Sequence, residues 1–270
     1  MSMETDKKDV QAFWEQASCG EDLYLDAMTA EGYRTQAAHR YRLEPYVETF
    51  ADFASAHGKR VLEIGVGLGA DHQRFGESGA TLSGVDLTAR SVEHVQRRFQ
   101  LLGLHSNLAA GDAEYLQFPD DSFDLVYSWG VLHHSPDTPK AFAEVHRVLR
   151  PGGTAKVMIY QTWSLVGLML WTRYGLLRLR PWMTLTEIYA RYLESPGTKA
   201  YTVEAARQLC AAFSSVEVRV VLTHGDLLES EAGQRHRGIL LTLARKIWPR
   251  ELLRRYGSRL GLFMLIEARK

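Results

Sequence analysis

Short apolar runs alternate with longer stretches of helical spacing through the middle of the chain. Runs near residues 60–66, 81–86, 106–111, 123–129 and 154–160 have the length of strands, and the segments near 70–78, 89–102 and 138–149 repeat apolar residues three and four apart. Strands joined by helical crossovers predict a parallel sheet covered on both faces. Ahead of this block, Val10–Tyr24 and Tyr33–Ala56 carry helical spacing, with aromatic residues at Phe13, Trp14, Tyr33, Tyr41, Tyr46 and Phe50. These helices are expected to cover one edge of a ligand site. After Tyr160 the alternation stops. Ser164–Leu193 is rich in Leu, Trp, Tyr and Met and is broken at Pro181, which suits either a lid or an extra pair of core-packing helices. A helix over Thr202–Phe213, a strand over Val216–Leu222 and a closing strand over Leu260–Ala268 follow. Between the last two, Thr223–Ser258 is too long for a hairpin loop and is expected to be helical in two pieces around Pro249.

One boundary carries chemistry. From Val61 to Gly69 an apolar strand runs into three alternating glycines, followed by the helix-compatible Ala70–Ser78. Glycine adopts the dihedrals that a strand-to-helix reversal needs, and it leaves backbone N–H groups open to close approach by a ligand. Read as Gly65-x-Gly67-x-x-Ala70, the run satisfies the dinucleotide fingerprint. Asp86, just after the apolar Thr81–Val85, stands near the roughly 20-residue offset of a ribose-binding carboxylate. On these residues alone a nicotinamide cofactor and an adenosyl cofactor both fit.

Three further features favour the adenosyl cofactor. Glu63 places a carboxylate inside the first strand, where a nicotinamide-binding strand usually carries an apolar residue. Gly111-Asp112-Ala113-Glu114 follows the third apolar run. Phe123–Trp129 ends in Gly130-Val131-Leu132-His133-His134, and Glu144–Gly153 reads as a helix running into a turn before the strand Ala155–Tyr160. With these motifs in order over roughly residues 40–160, the chain resembles the class I S-adenosylmethionine (SAM) dependent methyltransferases, in particular the small-molecule group that includes quinone-biosynthesis enzymes, type 11.

The resemblance implies an α/β fold: a Rossmann-like, doubly wound, mainly parallel seven-stranded sheet with an antiparallel last strand and a helical cap. It divides the chain into an N-terminal helical cap (1–56), a SAM-binding core (57–161), an apolar lid (162–200) and a C-terminal completion of the sheet with a helical insertion (201–270). It places Gly65, Gly67 and Gly69 beneath the amino-acid part of SAM, with Glu63 supporting that loop or the ligand's ammonium. Asp86 accepts from the ribose hydroxyls, with Leu87 beside it. Asp112 receives the adenine amino group, and the N–H of Ala113 faces a ring nitrogen. Trp129 either walls the methyl site or packs in the core.

Methyl transfer from a sulfonium asks the protein chiefly to align an acceptor and exclude water. A base is needed only where the acceptor keeps its proton. His133 and His134, just past the fourth strand at the carboxyl edge of the sheet, are candidates, the alternative for each being loop structure. Tyr160 either hydrogen-bonds an acceptor or is an ordinary strand-end aromatic. The acceptor itself is expected to be a small organic molecule, with no preference among oxygen, nitrogen, sulfur and carbon. The two other readings are a nicotinamide-dependent oxidoreductase, weakened by Glu63 and Asp112, and a SAM-binding interaction protein without catalysis.

Composition narrows the partners. Thirty-two basic against 32 acidic residues is no footprint for a nucleic-acid binder. The two cysteines, Cys19 and Cys210, give neither a disulfide framework nor a zinc spacing. The adjacent histidines lack a third ligand at recognisable spacing and Asp137 reads as a helix cap, so no metal is expected. Met1–Val10 is polar rather than a signal peptide, and the longest apolar stretch, Leu165–Trp171, is far below the ~20 residues that cross a bilayer, so the cytoplasm is expected. Arg235–Arg259 mixes Arg245, Lys246, Arg250, Arg254 and Arg255 with apolar residues. It suits peripheral contact with an anionic membrane or a partner, or a solvated basic face over a packed one. The pattern sets no oligomeric state.

Overall fold

The computed structural model describes residues 7–229 and 245–270. Its centre is one seven-stranded sheet built from β1 (Arg60–Ile64), β2 (Thr81–Asp86), β3 (Asn107–Ala110), β4 (Phe123–Trp129), β5 (Leu149–Tyr160), β6 (Ser215–Val221) and β7 (Phe263–Arg269) in the order β3-β2-β1-β4-β5-β7-β6. The first five strands pair in parallel. β7 runs antiparallel to both neighbours, β5 and β6. Strand order reverses between β1 and β4, and a doubly wound sheet opens its ligand crevice at such a reversal.

Alternation along the strands sorts the core into two faces. Leu62, Ile64, Val126, Val157 and Ile159 pack with Phe142 and Val145 of α7 (Thr138–Val148) on one side. Val61, Leu125, Tyr127 and Met158 pack with Phe75 of α5 (Ala70–Glu77) and Val95 and Phe99 of α6 (Ala89–Leu102) on the other. Residues one apart point to opposite faces, so both cores are specified by the same short apolar runs. Thr88 and Asp137 cap α6 and α7, each side chain accepting from a backbone N–H three residues on.

Two expectations change in detail. The Pro151-Gly152-Gly153 turn proves to be an irregularity within β5: Phe123 pairs with Leu149, the register shifts, and Leu125 pairs with Thr154. Gly152 takes a positive φ of 76° there, and its N–H still finds a carbonyl, that of Lys270. The N-terminal region is also more broken than its spacing predicts. It forms α1 (Lys7–Gln16), α2 (Glu21–Tyr24), α3 (Ala30–Leu43) and α4 (Tyr46–Ala51), interrupted at Gly20 with φ 77° and at Pro45.

Beyond β5, α8 (Leu165–Tyr174) and α9 (Leu185–Tyr192) form a helical hairpin with a small core of its own, Leu170, Met183 and Ile188. The Tyr189 hydroxyl ties this hairpin to the sheet, lying 2.8 Å from Ser164 Oγ and donating to the Thr162 carbonyl at 3.0 Å. α10 (Val203–Leu209) precedes β6, and α11 (Arg250–Tyr256) follows Pro249. Part of the basic run, residues 235–244, lies outside the described residues. Within α11, Arg250 donates to the carbonyls of Leu227 and Leu228, and Arg254 pairs with Glu229 and Glu251, so those arginines are spent inside the protein. No helix among the described residues is long and apolar enough to cross a membrane.

Candidate functional site

A cavity of about 1350 Å³ lies at the carboxyl edge of the sheet. It is lined by Glu63, Gly65, Gly67, Gly69, Asp86, Leu87, Asp112, Ala113, Trp129, His134 and Tyr160 together; of the candidate catalytic and cofactor-binding residues, His133 alone is not on its wall.

The turn after β1 explains why glycine stands there. Gly65 has φ +82°, and a Cβ on it would lie 2.0 Å from Val131 Cγ2. Gly67 has φ +49° and open space where a Cβ would go, so this is the position where a side chain would intrude on a ligand. Its N–H donates to Asp86 Oδ2 at 3.2 Å, while Asp86 Oδ1 accepts from Thr88 N and Oγ1 at 3.0 and 2.7 Å. Burial nevertheless pushes the Asp86 carboxyl above its ordinary range. The fully buried Arg98 braces the turn from behind, donating to the Leu68 carbonyl, Gln36, Gln73 and the Tyr33 carbonyl.

Glu63 has a second partner that its position in the strand does not announce. Its Oε2 lies 2.9 Å from His72 Nδ1, and His72 Nε2 lies 2.8 Å from Ser106 Oγ. Burial, reinforced by the charge on Asp71, raises the Glu63 carboxyl well above its usual range, and burial lowers His72 to about 3. Both shifts favour the uncharged form of each partner. At Asp112 the carboxylate meets Lys7 of α1 at 2.5 Å; the same ammonium reaches Glu114 at 2.6 Å. Glu114 also accepts from Ser135 Oγ and Asp137 N, fixing the loop after the histidines.

His133 and His134 have different surroundings. His133 is fully buried, 4.1 Å between ring centroids from Tyr160, and burial lowers its pKa well below the ordinary value. It stays neutral and does not line this cavity. His134 is on the wall. Its Nδ1 lies 2.8 Å from Ser195 Oγ and 3.2 Å from Thr198 Oγ1, and the Thr198 proton is already donated to the Ser195 carbonyl. That network suits a proton on Nδ1 and leaves Nε2 as the acceptor, an assignment from hydrogen bonding. Nε2 has no hydrogen-bond partner among the described residues and sits 3.4 Å from Glu194 Oε2. Tyr160, its pKa raised by burial and then by Glu194, keeps its proton and donates it to Glu194 at 2.6 Å.

Several cavity residues have no signal in the sequence, because their partners lie far away along the chain. Arg40 of α3 grips Asp71 of α5 through two bonds of 2.9 and 2.5 Å and also holds Glu44 at 3.0 Å. Tyr41 and Tyr127 donate to the same Asp71. Burial would raise Asp71, but Arg40 and these hydrogen bonds bring it below its ordinary value. Glu44, raised to about 7 by burial against the pull of Arg40, accepts a hydrogen bond from Trp129. Trp129 both lines the cavity and packs, stacked on Tyr46 and edge-on to Phe263. Glu194, from the segment after α9 and at no recognisable spacing from the histidines, places a third potential ligand atom within 4.8 Å of theirs. With Tyr160 already donating to Glu194 and His134 Nδ1 bound to hydroxyls, the cluster is organised for holding protons.

Residues 62–157 match the family model described as a methyltransferase domain. The core is a class I SAM-dependent methyltransferase domain. A fatty-acid O-methyltransferase of Mycolicibacterium smegmatis is 38% identical over 117 residues, which are 43% of this chain and 42% of that protein. A phthiotriol/phenolphthiotriol dimycocerosates methyltransferase of Mycobacterium leprae is 43% identical over 98 residues, 36% of each chain. The chain thus spans about two fifths of the length of these curated relatives. Among solved structures, phosphoethanolamine N-methyltransferase 2 of Haemonchus contortus, in complex with phosphomonomethylethanolamine and S-adenosylhomocysteine, superposes with a TM-score of 0.59 at 18% identity. It covers 97% of this chain and 60% of that one, and at this identity the likeness is one of fold. The methyltransferase domain's glycine turn, its open space at Gly67 and its two cavity-facing aspartates suit SAM, and the family match favours that cofactor over a nicotinamide.

Proposed function

We propose that the protein transfers a methyl group from SAM to a small, largely apolar acceptor through a hydroxyl oxygen. The observation that carries this reading is that one cavity has both kinds of wall. It is walled by Gly67, Asp86 and Asp112 and also by Val166, Leu168, Leu170, Leu193, Leu228 and Leu262. Its volume of about 1350 Å³ exceeds the roughly 300–1,000 Å³ of an ordinary small-molecule pocket, which leaves room for two molecules. In this assignment Asp86 and Leu87 hold the ribose, Asp112 and Ala113 the adenine, and Gly65, Gly67 and Gly69 the amino-acid end. Glu63 supports the turn through His72. When bound, SAM supplies a methyl group on a positively charged sulfur.

The rest of the step belongs to the chain. An alcohol must lose its proton as the new bond forms; His134 Nε2 takes it, Ser195 and Thr198 fix the ring, and Glu194 stabilises the resulting imidazolium. Tyr160 holds Glu194 in place. His133 acts through packing alone. The α8–α9 hairpin serves as a lid that keeps water from the reacting atoms. A neutral hydroxyl fits better than a carboxylate acceptor, because Glu44 and Glu194 face the cavity and the Arg40 guanidinium is already bound to Asp71 and Glu44.

Incubation with methyl-labelled SAM and a panel of long-chain alcohols, hydroxylated lipids and fatty acids tests this. Label in an ether product of the alcohols is expected. Label only in fatty-acid esters would move the acceptor to a carboxylate and remove the base from the mechanism. SAM binding without label in any fraction would favour the non-catalytic reading.

A further inference from the structure

The hairpin that walls the cavity turns another face to solvent. From Arg173 to Trp182 the chain carries three arginines, Arg173, Arg178 and Arg180, and no acidic residue. Between and beside them Leu179 is 82% exposed and Trp182 is 74% exposed. Arg173 and Arg178 lie over the Tyr174 ring, at 5.4 and 5.1 Å, and not against carboxylates among the described residues.

Leu179 is the telling residue. It sits in the left-handed region with φ 56° and ψ 37°, a conformation that glycine or asparagine adopts with far less strain. A large apolar side chain is thus held in solvent on a strained backbone. Leu177, 63% exposed, and Arg173 also line the cavity, so the cavity opens on this same face. Ile247, 83% exposed, is next to Trp248, another lining residue.

Exposed Leu and Trp interleaved with unneutralised arginine complement the surface of an anionic bilayer: apolar groups enter the headgroup boundary and guanidinium groups meet lipid phosphates. We propose that the Arg173–Trp182 face docks the protein on an anionic membrane, with the cavity mouth turned to the lipid. Docking rests on this face alone; only its purpose, delivery of an apolar acceptor, rests on the function proposed above.

Co-sedimentation with vesicles of phosphatidylcholine containing phosphatidylglycerol, against vesicles of phosphatidylcholine alone, reads it directly. Binding to the anionic vesicles and its loss at high salt are expected. Replacing Arg178→Gln and Arg180→Gln together should weaken partitioning roughly thirtyfold, at about fivefold per arginine. Leu179→Asn should weaken vesicle binding while the melting temperature holds or rises, a pair of changes that general damage to the fold does not produce. SAM affinity, measured in parallel, reports that each variant is folded. Equal partitioning into neutral vesicles, no sedimentation, or unaltered binding by folded Leu179→Asn protein would each overturn the proposal. So would a concentration-dependent dimer abolished by Leu179→Asn, which would assign the face to a second copy of the chain.

Discussion

The two sides of the cavity are built differently. The side around β1, β2 and β3 relies on backbone N–H groups and nearby carboxylates: Gly67 N–H on Asp86, 19 residues on at the end of the neighbouring strand, and, two residues apart, Thr88 N–H on Asp86 and Glu114 N–H on Asp112. The other side assembles side chains from distant segments, Arg40 with Asp71, His134 with Ser195 and Thr198, Tyr160 with Glu194. A local arrangement of backbone and short side chains is set as soon as the strand and turn form. An arrangement that depends on contacts more than 30 residues apart in the chain exists only once the whole sheet and its helices have closed.

The sharpest way to separate the two sides is to damage each and read two different quantities. His134→Ala is expected to lower kcat by roughly 100-fold or more with little change in SAM affinity, as loss of a positioned base does. Steady-state turnover with isothermal titration of SAM checks this, and unchanged turnover would return His134 to a loop-structural role. Asp86→Ala should do the reverse. Two lost charge-assisted hydrogen bonds correspond to a roughly 100-fold weaker Kd for SAM, with the fold intact by circular dichroism; near-normal affinity would remove the ribose assignment.

The smallest expected effect sharpens the comparison through pH. Glu44 titrates near 7 in the folded protein against an ordinary 4.5, so the folded chain keeps a proton that the unfolded chain has released. Its contribution to stability is full below about 4.5 and is lost as pH rises through about 7. Glu44→Gln should therefore flatten the fall in melting temperature over that window. A melting profile that keeps the same slope would show that Glu44 is ionised throughout.

This contrast also explains what could be read in the residues beforehand. The strand positions, the glycine turn and the offset of Asp86 follow from alternation and spacing, which are local, while the part given to Asp112 came with the family resemblance. The Arg40–Asp71 pair and the Tyr160–Glu194 pair were not legible, since each joins positions more than 30 residues apart; the Glu63–His72 pair spans only the glycine turn, and nothing in its spacing marks it. Pro151-Gly152-Gly153 misled for a related reason. It has the composition of a turn, but the strand bulges through it because β4 on one side and Lys270 beyond β7 on the other supply its hydrogen-bond partners.

The pairing of β5 with β7 has a consequence for how such a chain can diversify. β5 and β7 meet where Gln161 N–H donates to the Leu262 carbonyl at 2.7 Å. Within the span between them Tyr201 N–H donates to the Tyr160 carbonyl at 2.8 Å and Val221 faces Phe263, so the α8–α9 hairpin and the segment before β7 hang as two excursions with clasped ends, and α10 and β6 are held in the fold between them. The entropy of closing a flexible excursion grows only with the logarithm of its length, about 0.6 kcal/mol per doubling. The α8–α9 hairpin and the segment before β7 can therefore be lengthened, shortened or exchanged at small cost to the clasp. Such a chassis can keep one donor and be refitted for many acceptors.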